Sequence, residues 1–380
     1  MKSIMQKDLW SITSFLENKN YKFNKENILT QLPEKFIDEA IKAISSWDNY
    51  APTPLVKLNK LNDELKFKNI YYKDEDKRFD LKSFKALGGA FAVYKIASEK
   101  KNITVSTATA GNHGRSVAWG AQRLGLKCKI FISEFVSESR AEAMRKLDAE
   151  VIRVKGNYDN SLKECIKQSK ENNWEIVQDV SWEGYKEVPK LIMAGYTIMI
   201  KEILDEVKSN SISHVFLQAG VGGMAAAMIA GFAKLSQNIP KFIIVEPENA
   251  DCVFQSIKNN KPTSVDIKKE TVMGGLSCGD VSSNAWEILK NSSNYCLTIS
   301  DEAISTTVAL LAEKRLSDEK IIAGECAVPG IIALISSFNN KEYLDKLELN
   351  EQSNVLLFGC EGLTDNAMYQ KLLSDGLQKI

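Results

Sequence analysis

One lysine stands in a context that could make it a nucleophile. Lys85 lies in the segment Asp80-Leu-Lys-Ser-Phe-Lys-Ala-Leu-Gly-Gly89, between Phe84 and several small residues. Partial burial there would favour the neutral amine, which is the form that attacks a carbonyl carbon. Taken alone, the motif is more often that of a surface lysine.

A second segment combines small residues with an amide and an imidazole. The run Ser106-Thr-Ala-Thr-Ala-Gly-Asn-His-Gly114 lies between a predicted strand and a predicted helix. Small residues let backbone N–H groups approach an anion at a helix start, and Asn112 offers both a donor and an acceptor. His113 could act as a base, although a packed ring at the helix start is the commoner role.

A glycine-rich loop follows a later predicted strand. The run Gln218-Ala-Gly-Val-Gly-Gly-Met224 can form a backbone cradle for a phosphate group. It lacks the Lys-Ser/Thr of a P-loop, which disfavours nucleoside triphosphate hydrolysis. Ala225 occupies the third glycine position of the dinucleotide motif, so that motif is incomplete.

The fourth segment is Phe358-Gly-Cys-Glu-Gly-Leu-Thr-Asp365, again after a predicted strand. Cys360 by itself is typical of a small buried apolar residue.

Short apolar strands alternating with longer helical patterns must position these loops. The segments between most strands are long enough for a crossover helix, for example 113–124 and 141–147. This alternation predicts an α/β fold of parallel or mostly parallel sheets flanked by helices, with ligands bound where strands end. The predicted strands are Asn69–Lys73, Ile103–Thr107, Cys128–Ile132, Val151–Val154, Ile176–Gln178, Val215–Gln218, Phe242–Val245, Tyr295–Ile299 and Val355–Phe358.

Composition narrows the class of protein. The 380 residues include 49 basic and 49 acidic side chains, so bulk charge gives no reason to bind nucleic acid or an anionic membrane. Seven scattered cysteines and two histidines show no metal-ligand spacing, and we expect reduced thiols and no metal site. Residues 1–20 lack an apolar signal-peptide core, which favours a cytoplasmic location.

The order of the four segments resembles the fold-type II pyridoxal-phosphate enzymes, the superfamily of tryptophan synthase β and threonine dehydratase. The resemblance covers residues 45–375 and is most specific to the diaminopropionate ammonia-lyases. It is carried by Phe84-Lys-Ala-Leu-Gly-Gly89, Gly111-Asn-His-Gly-Arg-Ser-Val-Ala-Trp119, Gln178-Asp-Val-Ser-Trp-Glu-Gly-Tyr185 and Glu361-Gly-Leu-Thr-Asp365.

The resemblance implies a role for individual residues. Lys85 would form the Schiff base with pyridoxal phosphate, and Asn112 would bind the 3′-oxygen of its ring. Cys360 would be the neutral partner of the pyridine nitrogen, with a register uncertain by one position over 359–361. The remaining implied contacts are those of the cofactor phosphate with Gly220, Gly222, Gly223 and Met224, and of the substrate with Thr109, Gly111 and His113.

The implied reaction is the elimination of ammonia from 2,3-diaminopropionate, which yields pyruvate and a second ammonia. An amine leaves well only when it is protonated, so an acid is needed near the β-carbon. Asp179 occupies the position of a catalytic aspartate of the family, although a solvated loop aspartate is the alternative.

One position departs from the family pattern. The lyases carry an aspartate directly before Gly-Asn-His-Gly, where this chain has Ala110. In the family that aspartate serves the D-isomer, so we expect the L-isomer to be the substrate here. The loop is then also similar to that of L-serine and L-threonine dehydratases, which leaves a dehydratase or another β-eliminase as the alternative. A non-catalytic amino-acid-binding relative is a minor alternative, which Lys85 disfavours.

The resemblance also implies an architecture. The larger, cofactor-binding domain would comprise residues 1–85 and 191–380, and a smaller α/β domain, residues 86–190, would be inserted into it. Members of this fold are usually dimers, so a homodimer in amino-acid degradation is expected. Cys252 and Cys278 match a cysteine pair of the lyases, and we expect them to be free thiols here.

Overall fold

The computed structural model describes residues 8–207 and 212–380. Residues 1–7, which are part of the segment 1–20 that lacks a signal-peptide core, therefore lie outside the described part. The chain divides into two compact units. The larger unit comprises Met1–Gln31, Pro52–Lys77 and Met199–Ile380, and the smaller comprises Leu32–Ala51 and Arg78–Ile198. The division at 85/86 and 190/191 that the resemblance implies stays a prediction.

The β-strands of the described residues are numbered in chain order. They are β1 (Ile12–Glu17), β2 (Leu55–Lys57), β3 (Asn69–Asp74), β4 (Thr104–Ala108), β5 (Lys127–Ser133), β6 (Glu150–Val154), β7 (Glu175–Ile176), β8 (His214–Gln218), β9 (Lys241–Pro247), β10 (Tyr295–Ile299) and β11 (Asn354–Gly359).

The α-helices are numbered in the same way. They are α1 (Lys25–Gln31), α2 (Glu34–Ser45), α3 (Asn59–Leu65), α4 (Lys85–Glu99), α5 (Asn112–Arg123), α6 (Glu138–Arg145), α7 (Tyr158–Asn172), α8 (Glu187–Tyr196), α9 (Ile198–Glu206), α10 (Gly223–Leu235), α11 (Cys252–Asn259), α12 (Ser283–Ser292), α13 (Ile304–Ala312), α14 (Pro329–Asn339), α15 (Lys341–Leu347) and α16 (Asn366–Leu377).

The larger unit is built on a seven-stranded sheet in the order β1-β10-β9-β8-β11-β3-β2. The neighbouring strands from β10 to β3 are parallel, while β1 and β2 pair antiparallel at the two edges. Strands β8, β10 and β11 are buried at every position, which is typical of parallel strands covered on both faces. Helix α14 packs against β8, β9, β10 and β11, and α10 packs against β8.

The smaller unit is built on a four-stranded parallel sheet in the order β6-β5-β4-β7. Ala108, Phe131 and Cys165 form a fully buried cluster between this sheet and α7. Helix α4 packs against both α5 and α8, and α2 packs against α8. Residues of α2 therefore belong to this unit although they precede β2 and β3 in the chain.

The α/β fold with mostly parallel sheets is confirmed. Each of the nine predicted strands has an observed counterpart, with ends that differ by at most two residues. The edge strands β1 and β2 were not predicted, because β1 is largely half-exposed and β2 has only three residues. Within residues 8–207 and 212–380, no helix has the length and apolar character that crossing a membrane requires.

Candidate active site

Lys85 begins helix α4 in the smaller unit, directly after a segment with unusual backbone conformations. Phe79, Asp80 and Lys82 have φ angles of 48°, 59° and 57°, which are left-handed conformations that non-glycine residues rarely adopt. Such conformations persist where the surrounding structure imposes them, and they cluster at functional sites. The segment thus delivers Lys85 at the start of α4 in a fixed position.

Two glycines let α4 approach its neighbouring helices closely. A Cβ atom on Gly88 would lie 2.4 Å from the Tyr196 ring of α8, and one on Gly89 would lie 2.4 Å from Ser116 Oγ of α5. Both distances are too short for real contacts, so only glycine fits at either position. The Gly-Gly pair of the sequence motif therefore has a packing role one turn after Lys85.

The hydroxyl group of Ser116 holds the backbone at Lys85. It donates to the Lys85 carbonyl oxygen at 2.5 Å and accepts from the Ala90 N–H at 3.2 Å. Ser116 thereby ties the first turn of α4 to α5. Neither Ser116 nor Tyr196 was singled out from the sequence, because their proximity to Lys85 depends on helix packing.

The side chain of Lys85 is paired with Asp179. Lys85 Nζ donates to Asp179 Oδ2 at 2.5 Å, and the two side chains are 26% and 14% exposed. The ammonium group also lies 5.3 Å from the centre of the Phe84 ring and 5.8 Å from that of Tyr196. The structure thus brings together two residues that the sequence singled out and that lie far apart in the chain.

Electrostatics keep Asp179 ionised. Burial opposes its ionisation, but the Lys85 ammonium, which donates to the carboxylate, outweighs that effect, and the pKa of the carboxyl lies below its usual range. Burial lowers the pKa of His113, which leaves the imidazole neutral near pH 7. Its Nδ1 lies 3.7 Å from Asp179 Oδ2.

The residues just before Asp179 are tied to the sheet. The Gln178 side chain accepts from Thr107 Oγ1 at 2.8 Å and from the Ala108 N–H at 3.0 Å, and donates to the Ala108 carbonyl at 2.9 Å. Gln178 is fully buried. These bonds fix the backbone that carries Asp179 to the end of β4.

The Trp-Glu-Gly-Tyr motif forms a tight turn after Asp179. Trp182 and Tyr185 stack with ring centres 4.2 Å apart, and Gly184 supplies a φ of 82°. The Tyr185 hydroxyl donates to the Ile176 carbonyl at 2.8 Å and accepts from the Gln178 N–H at 2.9 Å. The motif follows Asp179 and also fixes the backbone at Ile176 and Gln178, which precede it.

The loop at the start of α5 is shaped by Thr109. Its hydroxyl oxygen accepts from the N–H groups of Gly111 at 3.0 Å and Gly114 at 3.2 Å. Asn112 is the first residue of α5, while Ala110 is exposed at the turn before it. The substrate contacts predicted for Thr109, Gly111 and His113 stay predictions.

In the larger unit, the glycine-rich loop joins β8 to α10. Gly222 has a φ of 89° and caps the helix, and an added Cβ there would lie 2.7 Å from Leu289 Cδ1. The first turn of α10 contains no acidic residue, and no side chain caps it. The Ala226 N–H is bonded to the Gly222 carbonyl, so the N–H groups of Gly223 and Met224 precede the helical ladder.

Cys360 follows β11 in the same unit and is buried. Its thiol donates to the Cys326 carbonyl at 3.2 Å. Gly359 offers no side chain, and Glu361 Oε1 accepts from the Cys326 N–H at 3.2 Å. Cys360 is thus the neutral polar side chain of the 359–361 segment. Glu325, Cys326 and Glu361 also bring potential ligand atoms within 4.8 Å of one another, a grouping that the sequence spacing did not suggest.

A family model described as "Pyridoxal-phosphate dependent enzyme" matches residues 47–361 of this chain. The chain belongs to this family. The match spans both the Lys85 region and the glycine-rich loop.

The similar proteins include lyases and dehydratases. Diaminopropionate ammonia-lyase of Escherichia coli (strain K12) is 34% identical over 352 residues, which cover 86% of this chain and 88% of the relative. An L-threonine dehydratase of Pasteurella multocida is 25% identical over 340 residues, covering 84% and 64%. A crystal structure of the Escherichia coli lyase with an aminoacrylate–PLP azomethine reaction intermediate has a TM-score of 0.88 at 32% identity, covering 96% of this chain and 98% of that one.

This pyridoxal-phosphate dependent enzyme has residues that fit the phosphate group and the aldehyde group of the cofactor. The start of α10 is an uncapped helix N-terminus after a left-handed glycine, which suits a phosphate group. Lys85 supplies a primary amine, which suits an aldehyde. Each feature is present within its own unit.

The two cysteines that match the family's pair both flank Gly220. Cys252 Sγ lies 3.5 Å from the Gly220 carbonyl oxygen, and a Cβ on Gly220 would lie 3.0 Å from Cys278 Sγ. Both are free thiols, as are the other five cysteines.

Proposed function

We propose that this enzyme eliminates the β-amino group of 2,3-diaminopropionate, releasing ammonia and leaving pyruvate after hydrolysis. The observation that carries the proposal is the pairing of Lys85 Nζ with Asp179 Oδ2 at 2.5 Å in a partly buried position. It supplies an amine and a carboxylate at one place, as a proton abstraction followed by departure of an amine requires.

Several residues singled out above would hold the cofactor. Lys85 binds the aldehyde carbon, and Asn112 donates to the 3′-oxygen. The Cys360 thiol, which now donates to a backbone carbonyl, faces the pyridine nitrogen as a neutral partner. The contacts with the phosphate come from the backbone of Gly220, Gly222, Gly223 and Met224.

Bound pyridoxal phosphate supplies an electron sink that makes the α-hydrogen of an amino acid acidic. Lys85 Nζ accepts that proton, because it is the basic group fixed at the start of α4. Asp179 holds a proton for the β-nitrogen, which leaves as ammonia rather than as an amide ion. The Phe84 and Tyr196 rings lie beside the Lys85 ammonium group, which remains 26% exposed along its side chain.

The proposal specifies the L-isomer. Ala110 is exposed at the turn before α5, and its methyl group cannot transfer a proton. Lys85 and Asp179 are both present, and they suffice for elimination from one face of the substrate. Position 110 offers no acid or base that could remove the α-proton from the opposite face of the substrate.

A second candidate is elimination of water from L-serine or L-threonine. The similarity to an L-threonine dehydratase over 84% of the chain favours it, as does the alanine at position 110. A dehydratase would release 2-oxobutyrate from threonine.

The two candidates are separated by one assay. Pyruvate and 2-oxobutyrate are measured with L- and D-diaminopropionate, L-serine and L-threonine as substrates. We expect the fastest release from L-diaminopropionate and none from a Lys85→Ala variant, while the exposed Lys146→Ala serves as the matched control. Faster release from threonine would replace the lyase by the dehydratase, and full activity of Lys85→Ala would refute both.

We further propose that the enzyme acts as a homodimer in the cytoplasm, in amino-acid degradation. The support is the family resemblance, together with seven cysteines that are all free thiols. Sedimentation equilibrium of the purified protein tests the dimer, and a monomer at micromolar concentration would exclude it.

A further inference from the structure

The imidazole of His113 is held in one tautomer. Its Nε2 lies 2.8 Å from the Val177 carbonyl oxygen, which can only accept a hydrogen bond. Nε2 therefore carries the hydrogen, and Nδ1 of the neutral ring presents a lone pair. The side chain is 5% exposed, so water does not compete for either nitrogen.

The lone pair of Nδ1 faces a carboxylate. In the part of the chain that the structure describes, Nδ1 is buried and has no hydrogen-bond partner, and it lies 3.7 Å from Asp179 Oδ2. That oxygen is the one that accepts from Lys85 Nζ at 2.5 Å. A lone pair opposite an anionic oxygen is unfavourable in a buried site unless a positive charge or a proton is close. Here the Lys85 ammonium supplies that charge.

We propose that His113 Nδ1 and Asp179 Oδ2 together bind one proton when the Lys85 ammonium is withdrawn from Asp179. While the ammonium is in place, the carboxylate is neutralised and no proton is needed. Without it, a proton between the two atoms turns an unpaired acceptor and an anion into a charge-assisted hydrogen bond. His113 is then a positioning residue that makes Asp179 an acid.

This uptake resolves a conflict in the proposed reaction. The Lys85 ammonium holds the pKa of Asp179 below its usual range, so Asp179 has no proton to give while the two are paired. Once Lys85 is engaged elsewhere, the pair with His113 holds the proton. That proton moves to the departing β-nitrogen as its bond to carbon breaks and the bonding electrons stay on nitrogen. Asp179 returns to a carboxylate and His113 to a neutral imidazole.

In the part of the chain that the structure describes, the charged groups that act on His113 are Asp179 and Lys85. Burial lowers the pKa of His113, the Asp179 carboxylate raises it, and the Lys85 ammonium of α4 lowers it. Tyr185 and Tyr196 also face Asp179, but burial raises the pKa of both phenols far enough to keep them neutral. Among the described residues, Lys85 is therefore the charged neighbour whose withdrawal favours a proton on the pair.

The chain provides an internal control for this inference. His214, the other histidine, is also buried, and its Nε2 lies 2.9 Å from the Leu347 carbonyl oxygen. Its Nδ1, however, lies 2.8 Å from the Ser213 hydroxyl group. The two rings share a tautomer and differ in the group that faces Nδ1.

The test is an NMR titration of ¹⁵N-histidine-labelled, full-length protein without an affinity tag, with and without pyridoxal phosphate. We expect His113 to become protonated at Nδ1 at least about one pH unit higher in Lys85→Met than in the wild type without cofactor. A Lys85→Met/Asp179→Asn protein should lose this increase, and His214 should titrate alike in all proteins. Adding pyridoxal phosphate to the wild type should move the titration of His113 in the same direction as Lys85→Met. An unchanged His113 titration in Lys85→Met would overturn the inference.

The catalytic meaning of the pair rests on the proposed function, whereas the titration does not require turnover. For activity, His113→Gln retains a donor for Val177 but lacks a titratable group, and His214→Gln is the matched control. We expect His113→Gln to lower kcat for L-diaminopropionate about 10- to 100-fold with a small change in KM. The alkaline limb of its pH profile should also disappear, because a proton donor loses activity where it is deprotonated. A wild-type pH profile in His113→Gln would overturn the role of His113, whichever substrate proves to be the correct one.

Discussion

Replacing Gly222 by alanine tests the phosphate-binding role of the glycine-rich loop. Gly222 has a φ of 89°, and the left-handed conformation costs an L-residue about 1–2 kcal/mol. The added Cβ would lie 2.7 Å from Leu289 Cδ1 and 3.3 Å from Ala285 Cβ, and such overpacking costs about 1–3 kcal/mol. The total expected cost is therefore about 2–5 kcal/mol.

That cost must appear in one of two measurements. If the loop keeps its conformation, the free energy of unfolding of the apo protein falls, and the midpoint of urea unfolding moves to a lower concentration. If the loop relaxes instead, the N–H groups of Gly223 and Met224 turn away from the anion and cofactor affinity falls. A loss of 2 kcal/mol in binding raises the Kd for pyridoxal phosphate about 30-fold, measured by absorbance titration.

The matched control is Gly274→Ala. An added Cβ at Gly274 meets no atom within 4 Å, so neither the urea midpoint nor the cofactor Kd should change. A Gly222→Ala protein with the wild-type midpoint and the wild-type Kd would refute the reasoning about this loop.

Three further predictions concern specificity and stability. Ala110→Asp should raise pyruvate release from D-diaminopropionate at least about tenfold, because it restores an acid–base group at the turn; an unchanged D-rate would contradict this. His214 is neutral when folded, with a pKa lowered by burial to about 4, so stability falls by about 3 kcal/mol as the pH drops from 6.5 to 4. Burial raises the pKa of Asp74 to about 6, so stability instead rises by about 2 kcal/mol as the pH falls from 6 to 4. Urea unfolding of His214→Gln and Asp74→Asn over this range should therefore show slopes that differ from the wild type in opposite directions, and identical slopes would exclude both effects. Lys73 Nζ lies 2.6 Å from Glu202 Oε2, and both side chains are fully buried. Lys73→Met should therefore lower the free energy of unfolding by about 3–5 kcal/mol, because it leaves the Glu202 carboxylate buried without its cation, and Lys73→Met/Glu202→Gln should lower it much less. Equal losses in urea unfolding would show that the unpaired charge is not the cause.

The local patterns in the sequence were sufficient for nine of the described strands and for the loops that carry the candidate residues. Apolar runs such as Val215–Gln218 and Tyr295–Ile299 predict buried strands because burial on both faces requires apolar side chains throughout. The glycine-rich run 220–223 was noticeable in the same way, since closely spaced glycines let backbone N–H groups approach a phosphate. Each of these patterns lies within a few consecutive residues, so it can be recognised without knowing how the elements pack.

The edge strands and the packing partner of helix α2 could not be predicted from local patterns. Strand β1 is half-exposed and pairs antiparallel to β10, almost three hundred residues later in the chain. Helix α2 belongs to the smaller unit because it packs on α8, although its sequence shows only an amphipathic helix. An apolar face identifies a buried surface but does not identify the surface that covers it.

The sequence by itself determined the α/β class, the four loops that follow strands, and the residue types available for the chemistry. Only the tertiary structure decided that Lys85 and His113 meet at a single oxygen of Asp179, and that Ser116 and Tyr196 hold Lys85 in place. The physical reason is that protonation and packing depend on distances of a few ångströms between residues on different elements. Those distances arise when α4, α5 and α8 pack around Gly88 and Gly89, and no local pattern of side chains specifies them.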